Sequence, residues 1–286
     1  MTQIDFRKKK TKQQLRDRWE SILETAYERI PRREAYAQDK SHVRRSSMLW
    51  FLGTNYITVA LLEYLLNNNH KLMHLYMQKA VPPLKQIYQE YDAGLPNIDA
   101  SKVAMTDIDL LLSVLASGNI GLAKDFSAVL GGRREEERSI GDQFWEALGY
   151  PVKFILEGCF VKPSGENKHR VIQGTANYSR DMPFWPWVDI LRRRCEKLHP
   201  NLVGLADILD GILDRNLDLI HAGFADLIKN HHKEAESGLF YSSENEDLLI
   251  WGIGLANLCR YKGLDVQIDH FLIPQDLLIP CSDSVE

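Results

Sequence analysis

Cysteine is scarce in this chain and widely scattered. Its 286 residues include four cysteines, Cys159, Cys195, Cys259 and Cys281, with no CxxC pair among them. That spacing excludes a zinc ribbon and gives no support to a disulfide framework. Catalytic signatures are missing as well. There is no GxxxxGK[ST] phosphate loop, no GxSxG nucleophile elbow, no HExxH and no His-Asp dipeptide. No cysteine stands in a nucleophile context, so the common hydrolase and nucleotide chemistries have no foothold. The first residues contain no apolar core of a secretory signal. Together with the cysteine usage, this leads us to expect a protein of the reducing cytoplasm. Alternating apolar and polar residues, the mark of a strand, are confined to Asp265 to Asp269. Only 11 prolines and 18 glycines interrupt the chain, mostly between apolar periodic stretches.

What remains is helix. Hydrophobic residues make up 44% and charged residues 26%, the balance of a globular chain long enough to bury a large core. Thr11 to Ile30 reads as a charged helix with Leu15, Trp19, Ile22, Leu23 and Ala26 on one stripe. Pro31 and the polar run to Ser41 read as a connector. A long apolar helix follows from Val43 to Leu66, and another from Lys71 to Tyr91, with Pro82–Pro83 expected to break or kink it. The window Met48 to Leu66 has the length of a membrane span. Asn55 and Glu63 inside it are expensive in lipid, so a buried core helix is expected and no membrane partner. Two hairpins are legible farther on. DIDLLLSVLASG ends at Gly118, with Asn119 capping IGLAKDFSAVLGG; Leu205 to His232 repeats the plan, with Asn216 opening its second helix. Turns this short make the helices antiparallel neighbours. The fold class expected is therefore all-α, stacked antiparallel helical hairpins with a repeat-like character and a short extended C-terminal segment. Residues 1–41 form a basic helix and connector and 42–286 a single all-α domain, with a possible subdivision at the polar loop Lys162 to Pro183.

Charge is unevenly spread. Residues 1–45 carry 13 Lys/Arg against 7 Asp/Glu, a net +6, and the remainder carries 22 against 32, a net −10. RKKKTK near the start has no interleaved aromatics, so a solvated arm is expected and not a nucleic-acid site. Phe184, Trp185 and Trp187 are either an exposed recognition cluster or a helix entry packed into the core. His70 and His74, at i and i+4, share a helix face but lack a third ligand nearby in sequence, so no metal and no cofactor is expected. Asp207, Asp210, Asp214 and Asp218 recur at helical spacing. They would make a solvated stripe opposite a core-facing one, an acidic contact surface or, if they converged, a divalent-cation site serving an all-α enzyme.

The last stretch, Ser243 to Leu278, is the most informative. Ser243 and Glu246 have the spacing of a capping box. Leu248, Trp251, Leu255, Leu258 and Cys259 then recur with helical period, Gly252 and Gly254 mark a close helix approach, and Gly263 ends the helix after Arg260 and Lys262. The order of apolar helix, RYKGLDVQID and LIPQDLL resembles the C-terminal signature of all-α immunity proteins from bacterial polymorphic toxin systems. The nearest is the immunity protein 49 family, with polymorphic-nuclease immunity (PoNi-type) domains second. The resemblance covers about 35 residues closely and helix order over about half the chain, and its motifs are structural. It implies a non-enzymatic protein that neutralises a cognate toxin domain, of nuclease type, by stoichiometric binding. The family supplies no catalytic residues, so charge and position nominate Asp207, Asp210, Asp214, Asp218, Glu244 and Glu246 as toxin-binding. A helical-repeat scaffold for an endogenous partner remains the alternative.

Overall fold

A computed structural model of the chain describes residues 12–131, 144–157, 185–241 and 243–281. Ten α-helices carry the fold and, among the described residues, no strand forms. The expected all-α class holds. RKKKTK, the Lys162 to Pro183 loop and Phe184 lie largely or wholly outside the described residues.

The first three helices, α1 (Lys12–Gln38), α2 (Arg45–Asn67) and α3 (His70–Asp92), run up, down and up around α2, whose packing against α3 and α1 is among the most extensive in the molecule. Trp19, Leu23, Ala26 and Ile30 of α1 enter the same apolar core as the other helices. In the most apolar window of α2, 67% is buried. Its polar residues are satisfied within the protein: Asn55 donates to the Ala26 carbonyl at 2.7 Å, and Glu63 accepts from the Tyr27 hydroxyl at 2.6 Å. The run of three asparagines makes the turn to α3. Asn68 takes the left-handed conformation at φ 50°, and Asn69 caps α3 by accepting from the Leu72 amide at 3.1 Å.

Two proline expectations are corrected. α1 continues through Pro31 to Gln38, and α3 continues through Pro82 and Pro83. The carbonyls that lose helical donors belong to residues four back, Tyr27, Gln78 and Lys79. Gln78 and Lys79 are exposed, so water can take their place, while Val81, Pro83 and Leu84 remain packed on the core side. Tertiary burial outweighs a local cost of about 3 kcal/mol per proline.

The hairpins form as read. α4 (Ile108–Ala116) turns at Gly118, φ 76°, into α5 (Ile120–Ser127), where Asn119 accepts from the Leu122 amide at 3.0 Å. Then α6 (Phe144–Glu157) packs on α7 (Trp185–Leu198), and α8 (Gly204–Asp214) on α9 (Leu217–Ser237). Arg215 at φ 53° and Asn216, which caps α9 through Leu219, make the second turn. Trp187 is buried and meets the Tyr150 ring at 4.8 Å, as expected of a helix entry packed into the core.

α10 (Ile250–Tyr261) closes the fold against α4. A Cβ on Gly254 would lie 2.5 Å from the Leu112 carbonyl oxygen, which is the close helix approach that the glycines suggested. Gly263 at φ 71° then stops the helix. Val266 and Ile268 are buried while Asp265, Gln267 and Asp269 are exposed, so this segment lies as an extended strap with no strand partner. Buried Asn257 fastens the strap by donating to the carbonyls of Leu115 and Leu277 at 2.8 and 3.0 Å and accepting from the Ile279 amide. Arg260 adds donations to the Ile279 and Val266 carbonyls.

Candidate protein-binding interface

The approach to α10 gathers most of the chemistry. A helix N-terminus carries the positive end of the peptide dipoles and attracts carboxylates, and Glu244, Glu246 and Asp247 precede α10 in sequence. The expected capping box is corrected in its detail. Ser243 starts a 3-10 turn, Glu244–Glu246, and its hydroxyl donates to the Phe240 carbonyl. Asn245 serves the helix, accepting from the Ile250 amide at 3.2 Å. Glu246 reaches across to α1 and accepts from Arg18 at 2.7 Å, with the Arg18 guanidinium 4.5 Å above the Trp19 ring.

Indole N–H groups fix three carboxylates in this part of the molecule. Trp19 donates to Asp247, Trp50 to Asp107 at 3.3 Å, and Trp251 to Asp109 at 2.5 Å. Asp107 also accepts from the Tyr88 hydroxyl at 2.7 Å. Burial pushes the Asp107 carboxyl up to about 6, against the opposing pull of Tyr88, Trp50 and Lys102. Burial raises Asp109 too; the Trp251 hydrogen bond opposes this and the charge of Glu244 adds to it. These two acids sit in DIDLLL, an apolar run in which carboxylates stand out, and their tertiary partners could not be read from the sequence.

Two aromatic side chains in this part of the sequence are exposed. Phe271 is 77% exposed and Tyr241 57%. Phe271 precedes Leu272, whose carbonyl accepts from the Leu249 amide at 2.9 Å, so the Phe271 turn adjoins the start of α10. The His231 ring is 5.7 Å from that of Phe240, its Nε2 is 2.6 Å from the Asn245 carbonyl oxygen, and His270 lies close enough to disfavour its charge. Burial is the main cause that lowers the His231 pKa, and its Nε2–H donates to the Asn245 carbonyl, which can only accept. Glu236 and Asp269 are exposed in the neighbouring sequence, as are His232 and Lys233. A largely exposed phenylalanine keeps apolar surface in water, and such aromatics are frequent anchors of protein interfaces. The sequence reading missed Phe271 and Tyr241; their signal is an aromatic residue inside the polar turns LFYSSENED and IDHFL.

The six nominated carboxylates do not form one surface. Asp207 and Asp210 are both held by Arg192 of α7, the latter at 2.7 Å, so one of their two negative charges is offset. The stripe along α8 is therefore partly paired and not fully open. Asp214 and Asp218 are exposed and flank the α8–α9 turn, which Arg215 ties to the C-terminal end of α10 by donating to the Lys262 carbonyl at 3.2 Å. Glu244 and Glu246 lie before the opposite end of α10. Twelve residues of helix separate the two groups by roughly 18 Å.

His70 pairs with Asp276 of the C-terminal strap at 3.2 Å and stands edge-on to Tyr64, 206 residues from its partner. Among the described residues no three His, Cys, Asp or Glu side chains converge so as to hold a metal ion. Burial raises the Cys259 thiol far above its ordinary value. Compared with protein-family models, with characterised proteins and with solved structures, the chain matches none.

Proposed function

We propose that the protein acts by binding, as an immunity-type inhibitor that forms a stoichiometric complex with a cognate bacterial toxin domain. The exposed Phe271 and Tyr241 carry this reading, because uncovered aromatics of this kind serve as anchors of a binding hot spot. The resemblance of Ser243 to Leu278 to toxin-immunity proteins supports it, as does the net −10 of residues 46–286. Inhibition of this kind needs no chemistry. An acidic surface occludes a basic nuclease cleft, and electrostatic steering speeds capture of the toxin before it acts. Asp214 and Asp218 form a second acidic edge that a large partner would also meet, whereas Asp207 and Asp210 share Arg192 and together contribute a single net negative charge.

The test is co-expression with the C-terminal domain of the gene product encoded directly upstream. Restored growth and a co-purifying complex are expected. Phe271→Ala combined with Tyr241→Ala is expected to weaken the complex at least tenfold while the thermal midpoint of the free protein stays unchanged. Toxicity without rescue, or a complex indifferent to both substitutions, overturns the reading. A harmless upstream domain that forms no complex would favour a helical scaffold for an endogenous partner.

A further inference from the structure

The turn from α1 to α2 exposes apolar surface that folding does not require. Asp39 organises the turn, its carboxylate accepting from the Ser41 amide at 2.9 Å and from the Ser41 hydroxyl at 2.6 Å. The Arg45 amide returns to the His42 carbonyl, and Val43 and Arg44 point outward. Val43 is 78% exposed, although a polar residue would serve this turn equally well. Across from it runs the 93–99 segment, pinned by the Asp99 amide donating to the Ser46 hydroxyl at 3.0 Å. Between them opens a cleft of about 570 Å³ whose lining includes Val43, Arg44, Ser47, Met48, Phe51 and Ile98.

Cations stand in and beside this cleft: Arg44 belongs to its lining, and Arg33 reaches its Phe51. Arg33 lies 5.3 Å over the Phe51 ring and donates to the Phe51 carbonyl at 2.6 Å, while Lys102 lies 4.6 Å over the ring of Trp50, which itself packs edge-on against Phe51. Arg29 stands close enough to Arg33 to disfavour its charge further. Among the described residues, neither Arg33 nor Arg44 is paired with a carboxylate. Asp99 also lies in the lining and keeps its negative charge, its oxygens turned to the Ser101 amide and hydroxyl, so the cations that exceed it are Arg44 and Arg33.

We propose that this cleft is a docking site for a short segment of a partner protein that combines apolar and acidic side chains. Apolar residues fill the floor of Val43, Met48, Phe51 and Ile98, and carboxylates meet Arg44 and Arg33 at the rim. A basic or neutral segment has nothing to match those cations, and a groove this small suits a few residues and not a domain. The site shares no residue with the exposed Phe271 and Tyr241, so the two readings stand or fall independently.

The experiment is a selection of displayed random peptides against the full chain, repeated against Val43→Glu and Arg44→Glu. Both side chains are exposed, so both variants are expected to keep wild-type unfolding. The peptides expected have two or more carboxylates beside large apolar residues, enriched on the wild type and lost on both variants. A labelled peptide of that consensus is expected to bind at least tenfold more weakly to Arg44→Glu and to weaken as salt rises. No enrichment, enrichment of peptides without acid, or equal enrichment on the variants overturns the proposal. So does a concentration-dependent dimer that Val43→Glu abolishes, since the cleft would then be covered by a second copy of the chain.

Discussion

Replacing Glu90 by Leu tests how the first three helices are locked together. Arg45 and Glu90 are almost wholly buried, with side chains 3% and 9% exposed. The guanidinium donates through Nε at 2.7 Å and Nη2 at 2.6 Å to the two oxygens of Glu90, and through Nη1 to the Ala37 carbonyl at 2.5 Å. One side chain of α2 thus joins the ends of α1 and α3. Gln86 donates to the same carboxylate at 2.8 Å. Glu90→Leu leaves the guanidinium buried with a single acceptor, and removing one partner of a buried pair costs about 3–5 kcal/mol. Against a total stability of about 5–15 kcal/mol this is a large loss, and it corresponds to a fall in Tm on the order of 10 °C. Thermal and urea unfolding followed by far-UV circular dichroism would measure it. The double substitution Arg45→Met with Glu90→Leu removes both charges and is expected to recover most of the loss. Burial opposes ionisation of Glu90, but the hydrogen bonds from Arg45 and Gln86 outweigh it and hold the carboxyl below its ordinary value. Its stabilisation is therefore present above the unfolded glutamate pKa of about 4.3 and is lost as pH falls through the lower folded value. The gap between wild type and Glu90→Leu should shrink in acid. A single-variant cost below about 1 kcal/mol, or a double variant as unstable as the sum of the two singles, would refute the reasoning.

Asp107 titrates with the opposite sign. Its carboxyl is pushed up to about 6 by burial, so its contribution is full below the unfolded value of about 3.9 and declines as pH rises through the folded one. The stability of Asp107→Asn relative to wild type is expected to improve by on the order of 2 kcal/mol between about pH 4 and neutrality, as read by urea titration at a series of pH values. Gly254→Ala gains about 1 kcal/mol of helix propensity, yet its methyl meets the Leu112 backbone 2.5 Å away. A net loss of about 1–2 kcal/mol in urea unfolding is expected as α4 and α10 separate, and a stabilised variant would contradict the close packing. Asn216→Ala removes the oxygen that accepts from the Leu219 amide and should cost about 1 kcal/mol by the same measurement, whereas Asn216→Asp should be nearly neutral.

The sequence by itself determined the features that depend on a few neighbouring residues. Asn119 and Asn216 opened helices because their side chains reach an amide three residues on, and Gly118 and Gly263 ended helices because a left-handed turn is cheapest without a Cβ. Apolar periodicity identified α2 as a core helix, and the alternation from Asp265 to Asp269 identified the strap. Only the tertiary structure decided the rest. Pro31, Pro82 and Pro83 failed to end their helices because packing of α1 and α3 on α2 outweighs a local penalty that sequence rules treat as decisive. Asp207 and Asp210 looked like an open acidic face until Arg192, on another helix, took both. Asp107 and Asp109 gave no sign of their indole partners, and nothing local placed the Phe271 turn beside the loop before α10. A helix is specified by contacts within four residues. What a charge pairs with, and whether an aromatic ring is covered or left in water, depends on side chains that only the completed packing brings together.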